Sequence, residues 1–195
     1  MKNNWSDIEA KKYIRKYIKL GHSKDMALRV YTTRLLGRNK ELVLHGGGNT
    51  SVKIKTKDID GKIYDVLCVK GSGWDMAEIE PQGLPAVKLN PLLSFKNKKY
   101  LSDDDMVSFQ KRNLINSKSP NPSVETFLHA FLPHKFVDHT HSDAIMNLTN
   151  RSNGIELCKK TFGAKVGIVP YVMPGFALAV KINEVLKKNK NINCL

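Results

Sequence analysis

The sequence has few cysteines and no long apolar run. Its three cysteines, Cys68, Cys158 and Cys194, form neither a CxxC pair nor an even-numbered set, which argues against a disulfide framework and a cysteine-based zinc site. No stretch approaches the roughly 20 apolar residues of a membrane span, and the longest, 171–180, contains a proline and a glycine. The N-terminus lacks the apolar segment of a secretory signal. We therefore expect a reduced, cytoplasmic protein without a membrane partner.

Acidic residues are scarce relative to basic ones. The 195 residues include 32 Lys and Arg against 18 Asp and Glu, which gives a formal net charge of +14. Such a charge would suit a nucleic acid, but lysines far outnumber arginines and are spread along the chain. Arginine is the usual reader of phosphate forks and base edges. We interpret the charge as a lysine-rich solvated surface that would attract anionic metabolites, and we expect no nucleic-acid partner.

The remaining composition is that of a globular domain. Hydrophobic residues make up 41% and charged residues 26%, values close to those of folded proteins. The length suits one α/β domain, and the sequence shows neither an internal repeat nor a linker. We therefore predict a single domain over 1–195.

Local patterns predict alternating helices and strands. Capping residues and apolar spacing predict helices over 6–20, 23–36, 102–114, 123–129 and 176–188. They also predict a helix that begins at 142 and a helical stretch that ends at 161–163. Alternation and turn signals predict strands over 42–44, 50–55, 63–70, 84–89, 135–141 and 166–169, with the beginning of another at 191–195. The early strands meander and the later ones alternate with helices. This order favours a three-layer α/β domain with a mixed or mostly antiparallel sheet.

Two histidines stand two positions apart at the end of a predicted strand. His139 and His141 should therefore point to the same face, about 7 Å apart along the chain. Two neutral imidazoles so placed can occupy two corners of a zinc coordination shell. Asp138 should face the other way. The simpler alternative is a pair of half-exposed strand histidines that bind nothing.

A glutamate precedes these histidines near the start of a predicted helix. Glu125 follows Pro122 and Ser123, and at the same strand end it could bind a metal or transfer a proton. Its alternative role is to complement the helix dipole. His129 and His134 are further candidate ligands, although a structural histidine is the simpler interpretation of both.

Two glycine-rich loops each follow a predicted strand, at 45–51 and at 70–73. Glycines let backbone N–H groups approach an anion, and the neighbouring Asn, Ser and Thr add donors. Neither loop is a Walker motif or a dinucleotide fingerprint. Each alone is typical of a tight turn, but together with the turn at 122–123 they could form a phosphate cradle.

A metal, a carboxyl group and an anion-binding nest in one site would suit a particular chemistry. A metal beside a carbonyl acts as a Lewis acid and stabilises an enediolate, while a carboxylate moves the proton. The combination suits the making or breaking of a C–C bond next to a ketone.

The motifs at 45–51, 70–73, 122–125 and 137–141 resemble, in that order, the successive motifs of the class II aldolase/adducin family. The resemblance extends over roughly 34–186. The variants Gly-Gly-Gly-Asn-Thr-Ser and Pro-Ser-Val-Glu-Thr are most similar to the aldolase half of bifunctional rhamnulose-1-phosphate aldolase/alcohol dehydrogenase proteins.

This resemblance implies a three-layer α/β/α fold with a mixed, largely antiparallel sheet, and a homotetramer with active sites between subunits. It implies a metal-dependent aldehyde-lyase of carbohydrate metabolism. A ketose 1-phosphate would be cleaved to dihydroxyacetone phosphate and an aldehyde through a metal-stabilised enediolate. A sugar-phosphate 4-epimerase or dehydratase of the same fold, and a non-catalytic adducin-like assembly domain, are the alternatives.

The resemblance also implies roles for individual residues. Zinc, or another divalent metal, would be bound by His139 and His141, and Glu125 would be the acid/base residue. The substrate phosphate would be bound by Gly48, Asn49, Ser72, Gly73 and Ser123.

Two departures from the family pattern affect these expectations. Val124 stands where family members usually have a serine, so phosphate binding there should be weaker or altered. The family's third metal histidine lies on the strand after the helix at 176–188, and this chain ends at Leu195 without it. We therefore expect a domain that is truncated at its C-terminus, or a degenerate member, with a damaged or empty metal site.

Overall fold

The computed structural model describes residues 3–44, 46–189, 191–192 and 194–195. The helices are α1 (Asp7–Lys19), α2 (Lys24–Gly37), α3 (Leu89–Leu93), α4 (Asp103–Arg112), α5 (Thr126–Phe131), α6 (Asp143–Thr149), α7 (Gly154–Phe162) and α8 (Phe176–Lys188). The strands are β1 (Asn49–Lys57), β2 (Ile63–Val69), β3 (Ala86–Lys88) and β4 (Phe136–His139). They form one sheet in the order β3-β2-β1-β4.

The predicted helix starts agree closely with the structure where a serine precedes the helix. Ser6, Ser23 and Ser102 each accept, through the side-chain oxygen, a hydrogen bond from the backbone N–H three residues further on. Each bond satisfies one of the N–H groups that the first helical turn leaves without a partner. The starts of α1, α2 and α4 are therefore determined by interactions within a few residues.

The hairpin between β1 and β2 is also formed by local contacts. Asp58 accepts backbone N–H bonds from Asp60 and Lys62 on the same carboxylate oxygen. Gly61 has a φ of 77°, a conformation that glycine adopts without a steric penalty. This turn sets the register in which Val52 pairs with Cys68.

Apolar residues from both faces of the sheet form two cores. In β2, Val66 and Cys68 pack on one side and Leu67 and Val69 on the other, as the alternation of a strand requires. The first core contains residues of α1 and α2: Tyr17, Met26, Ala27 and Val30. The second contains residues of α3, α4, α5 and α8: Leu92, Met106, Phe127, Phe131, Phe176 and Ala179. The sheet thus lies between two helical layers, which confirms the predicted three-layer α/β/α fold.

The described strands pair antiparallel throughout. A parallel contact occurs at one isolated bridge, between Val166 and Cys194. The prediction of a largely antiparallel sheet is therefore confirmed. That the chain forms one domain over 1–195, truncated at its C-terminus, stays a prediction.

Some predicted strands are wrong. Residues 42–44 form no strand, because the N–H groups of Leu42 and Val43 donate to the Asn39 carbonyl and the chain curls back after α2. The segment 166–169 pairs, within the described residues, only through its bridge to Cys194. A short apolar run indicates that some of its residues are buried, but it does not distinguish a strand from a turn.

Other predicted strand boundaries also shift. The strand predicted over 135–141 ends at His139, so His141 lies beyond it. Of the strand predicted at 191–195, Asn193 lies outside the described residues. Among the helices that the structure describes, none is both long enough and apolar enough to cross a membrane.

Candidate functional site

The first residue of β1 and the last residue of β4 bring the site together. Asn49 is paired with His139 in the antiparallel ladder of these strands. His141 lies two residues further on, where its backbone N–H donates to the Leu42 carbonyl at 2.9 Å. The ring centroids of the two histidines are 4.9 Å apart. The histidines are therefore neighbours, as predicted, although a loop contact rather than strand pairing holds His141.

Glu125 reaches this same strand end. It is the N-cap residue of α5 and only 8% exposed. One carboxylate oxygen, Oε2, lies 2.9 Å from Nδ1 of His139 and also accepts a hydrogen bond from Nδ2 of Asn49. The structure thus brings together the predicted acid/base residue, a predicted metal ligand and a predicted phosphate ligand, while their roles stay predictions.

The helix predicted to begin at Ser123 begins after Glu125. The segment from Ser123 to Glu125 precedes α5, and the Ser123 carbonyl accepts hydrogen bonds from the N–H and the hydroxyl of Thr126. The Ser123 hydroxyl oxygen accepts from the Glu125 N–H and from Asn49 Nδ2, both at 3.2 Å. Ser123 therefore connects the turn before α5 to the start of β1.

The contacts of Glu125 decide its protonation. Burial alone would raise the pKa of this carboxyl group, but the hydrogen bonds and positive charge of His139 and the hydrogen bond from Asn49 outweigh burial and lower it. An ionised carboxylate only accepts hydrogen bonds, so Nδ1 of His139 is the donor in this contact and Nε2 is the ring nitrogen that it leaves free.

The second histidine favours its neutral form. Burial lowers the pKa of His141, and the positive charge of His139 lowers it further, although Glu125 acts in the opposite direction. A neutral imidazole is the form that binds metal ions.

The first glycine loop runs directly against the two histidines. Gly48 has a φ of +65°, and a Cβ built there would lie 2.6 Å from the carbonyl oxygen of His139. A Cβ on Gly47 would lie 3.2 Å from Nδ1 of His141. Only glycine fits at Gly48 without a shift of the backbone. His45, the first residue of this predicted motif, lies outside the described residues.

The second glycine loop lies along the turn before α5. The Ser72 N–H donates to the Asn121 carbonyl at 2.9 Å, and Gly71 forms an isolated bridge with Pro122. Gly73 has a φ of +81°, and a Cβ there would meet no atom of the described residues within 4 Å. This loop and the Ser123 turn are therefore adjacent, as a phosphate cradle requires.

Lys70 is a candidate residue that the sequence analysis missed. It is 6% exposed, and its Nζ donates to the Gly46 carbonyl at 3.3 Å. Burial lowers the pKa of this ammonium group, whereas the charges of Asp75 and Glu125 raise it. Lys70 thus places a cation between the two glycine loops. The available signal was its position as the first residue of the 70–73 motif.

The two additional histidines are not close partners of this pair. His129 is fully buried, with Nδ1 2.8 Å from Ser51 Oγ, and burial lowers its pKa to about 3. His134 is exposed and borders a groove of about 670 Å³ beside Glu125 and His139. The walls of this groove are largely apolar and include Leu128, Leu132, Leu178 and Ile182.

The donor set fits a divalent metal in part. Two imidazoles suit two positions of a zinc shell, and a side chain at Gly47 would crowd Nδ1 of His141. Within the described part of the chain, no three His, Cys, Asp or Glu side chains are arranged to hold a metal ion. The pair would therefore need further oxygen or nitrogen ligands.

Comparisons with known proteins identify a family. Residues 27–195 match the model of the family described as the class II aldolase and adducin N-terminal domain. The chain is 40% identical over 160 residues to "Uncharacterized oxidoreductase YuxG" of Bacillus subtilis (strain 168), a match that covers 82% of this chain and 23% of that protein. The chain thus spans about a quarter of this curated relative.

A solved structure is also similar. It is the N-terminal class II aldolase domain of a conserved protein from Thermoplasma acidophilum, with a TM-score of 0.83 and 38% sequence identity. The match covers 97% of this chain and 82% of that structure. At this identity, the similarity extends to the sequence as well as the fold.

Proposed function

Since this chain belongs to the class II aldolase and adducin N-terminal domain family, we propose that it is a metal-dependent lyase domain. Its reaction would be the reversible cleavage of a ketose 1-phosphate to dihydroxyacetone phosphate and an aldehyde. The observation that supports this most directly is the position of Glu125, whose Oε2 accepts hydrogen bonds from Asn49 and His139.

His139 and His141 would hold zinc or another divalent cation. Oxygen atoms of the substrate would supply further ligands. When bound, the cation would act as a Lewis acid toward the carbonyl group of the substrate. Asn49 and Glu125 would keep the His139 ring oriented, since Nδ1 is held by the carboxylate and Nε2 is left for coordination.

The phosphate group would bind between the two glycine loops. Lys70 supplies the positive charge there, and the backbone N–H groups near Gly48 and Gly73 provide donors. Asn49, Ser72 and Ser123 add polar side chains.

Glu125 would move the proton that the reaction requires. In cleavage, Glu125 would accept the proton of the substrate hydroxyl group that becomes the aldehyde carbonyl, while the C–C bond breaks and its electron pair forms the enediolate. Glu125 would then return that proton to the enediolate carbon to give dihydroxyacetone phosphate. The hydrogen bonds from Asn49 and His139 both reach Oε2. We therefore assign the proton transfer to Oε1. The lowered pKa keeps Glu125 ionised before it accepts a proton.

The relative's name fits a bifunctional arrangement. The Bacillus subtilis protein is named an oxidoreductase, but 77% of its length lies outside the match, since the match covers 23%. This supports the proposal that the present domain corresponds to the aldolase half of a bifunctional rhamnulose-1-phosphate aldolase/alcohol dehydrogenase.

We also propose a cytoplasmic homotetramer in carbohydrate metabolism, and sedimentation measurements test its assembly.

Product analysis tests the reaction. The purified protein, supplied with Zn²⁺, Mn²⁺ or Co²⁺, is incubated with rhamnulose 1-phosphate and other ketose 1-phosphates. Release of dihydroxyacetone phosphate supports the proposal. An isomeric sugar phosphate without it would identify a 4-epimerase, and loss of water would identify a dehydratase. No turnover in a chain that measurably binds the added metal would favour an assembly domain.

A further inference from the structure

Two polar contacts connect β1 to the segment that carries Glu125. Asn49 and Ser51 are two residues apart on β1 and share one face of the sheet. Glu125 and His129 are four residues apart at the start of α5, and the His129 N–H donates to the Glu125 carbonyl at 3.1 Å. Nδ2 of Asn49 donates a hydrogen bond to Oε2 of Glu125, and Ser51 Oγ lies 2.8 Å from His129 Nδ1. We call these two contacts the β1–α5 ladder.

The spacings of the two elements match. Two residues of a strand advance by about 6.6 Å, and four residues of a helix advance by about 6 Å. Both contacts of the β1–α5 ladder can therefore form together. A shift of α5 by one residue along β1 would break both contacts.

The second contact lies where water does not compete. Ser51 and His129 are both 0% exposed. Within the described residues, Nε2 of His129 has no hydrogen-bond partner, so the ring is anchored through Nδ1. A hydrogen bond in such an environment is stronger than one in water, and its loss leaves a buried polar atom unsatisfied.

Ser51 is itself fixed from the opposite layer. Arg29 of α2 donates through Nη1 to the Ser51 carbonyl at 3.1 Å and to the Val137 carbonyl at 3.2 Å. Nη2 of Arg29 pairs with Asp138. The strand that carries His139 and the strand that carries Ser51 are thus held together from the α2 side by contacts that do not involve α5.

We propose that Ser51 and His129 are positioning residues for Glu125. Their contact sets the register of α5 on β1 and thereby the separation between the Glu125 carboxylate and His139. The importance of that separation for turnover rests on the proposed function, whereas the ladder itself does not.

Thr50 offers a matched control on the same strand. Its hydroxyl lies 2.6 Å from the Thr33 hydroxyl, and both residues are 0% exposed. This contact is on the opposite face, away from α5. Thr50→Val therefore removes one buried hydrogen bond from β1, as Ser51→Ala does, but leaves the β1–α5 ladder intact.

The experiment compares Ser51→Ala, Thr50→Val and His129→Asn in the full chain by NMR without substrate. We expect Ser51→Ala to shift the side-chain amide signals of Asn49 and the ring nitrogen signals of His139. Thr50→Val should leave both unchanged. His129→Asn should preserve them, because an asparagine amide can replace Nδ1. If Ser51→Ala does not fold, His129→Leu replaces it in the comparison.

Unchanged Asn49 and His139 signals in Ser51→Ala, or equal shifts in Thr50→Val, would overturn the proposal. If the chain has lyase activity, Ser51→Ala should lower kcat about 10- to 100-fold, with KM changed less than about twofold, and Thr50→Val should change neither. If lyase activity is absent but the NMR pattern appears, the proposed function fails and the β1–α5 ladder stands.

Discussion

Asn49 and His139 stand opposite each other across the antiparallel pair of β1 and β4, and both side chains contact the same carboxylate oxygen of Glu125. The centre of the candidate site therefore depends on the register of two strands. Substitutions that disturb the backbone at either strand end should affect the site as strongly as substitutions of its side chains.

Gly48→Ala should destabilise the protein more than Gly46→Ala. Both glycines have positive φ, +65° and +79°, but a Cβ at Gly48 would lie 2.6 Å from the His139 carbonyl oxygen, whereas one at Gly46 would have no atom of the described residues within 4 Å. We expect Gly46→Ala to cost about 1 kcal/mol from backbone strain and Gly48→Ala more than about 2 kcal/mol, since overpacking adds to it. Urea unfolding measures both, and equal losses would contradict the contact.

Glu125→Gln should abolish most turnover. The amide keeps the shape of the carboxylate but cannot exchange a proton, so we expect kcat to fall about 10²- to 10⁴-fold. Glu156→Gln, on the exposed surface of α7, changes the net charge equally and should leave kcat unaltered. Retention of activity in Glu125→Gln would remove the acid/base assignment.

Lys70→Met should weaken phosphate binding. The loss of a charged hydrogen-bond donor between the glycine loops should raise the Kd for inorganic phosphate about 10- to 100-fold, measured by calorimetry. Lys118→Met removes the same charge from an exposed loop and should change the Kd less than about twofold. A similar loss in both variants would mean that the general positive charge of the chain, not Lys70, attracts the anion.

The stability of the protein should fall as pH decreases because of His129. Burial, aided by the charges of His139, Arg29 and Lys53 and opposed by Glu125, lowers its pKa to about 3, against about 6.5 in the unfolded chain. Between these values the unfolded state binds more protons, so stability is lost as pH falls from about 6.5 toward 3, by up to about 1.4 kcal/mol per pH unit.

Urea unfolding between pH 7.5 and 4 measures this contribution. The asparagine of His129→Asn does not titrate in this pH range. The unfolding free energy of the wild type minus that of the variant should therefore decrease as the pH falls. The carboxylates are the same in both proteins, so their pH-dependent contributions to the unfolding free energy cancel in this difference. Parallel pH profiles would show that His129 is not held neutral in the folded state.

Features that depend on near neighbours could be predicted from local sequence patterns. The serine caps of α1, α2 and α4 and the Asp58–Gly61 turn use hydrogen bonds that span two to four residues, so their signals are local. The two-residue spacing of His139 and His141 placed them close together, but the contact that holds His141 comes from the distant Leu42 carbonyl.

Which distant groups meet depends on how the helices and strands pack, and local patterns do not predict it. Asn49 and Glu125 are 76 positions apart, Arg29 and Asp138 are 109 apart, and Lys70 became a site candidate only when its loop was placed beside Gly46. Likewise, the apolar run 42–44 was compatible with a strand or a turn; in the structure it forms a turn that buries Val43 and leaves Leu44 exposed. Apolar patterns indicate that a residue is buried, but the partners it meets depend on how the helices and strands pack across the whole chain.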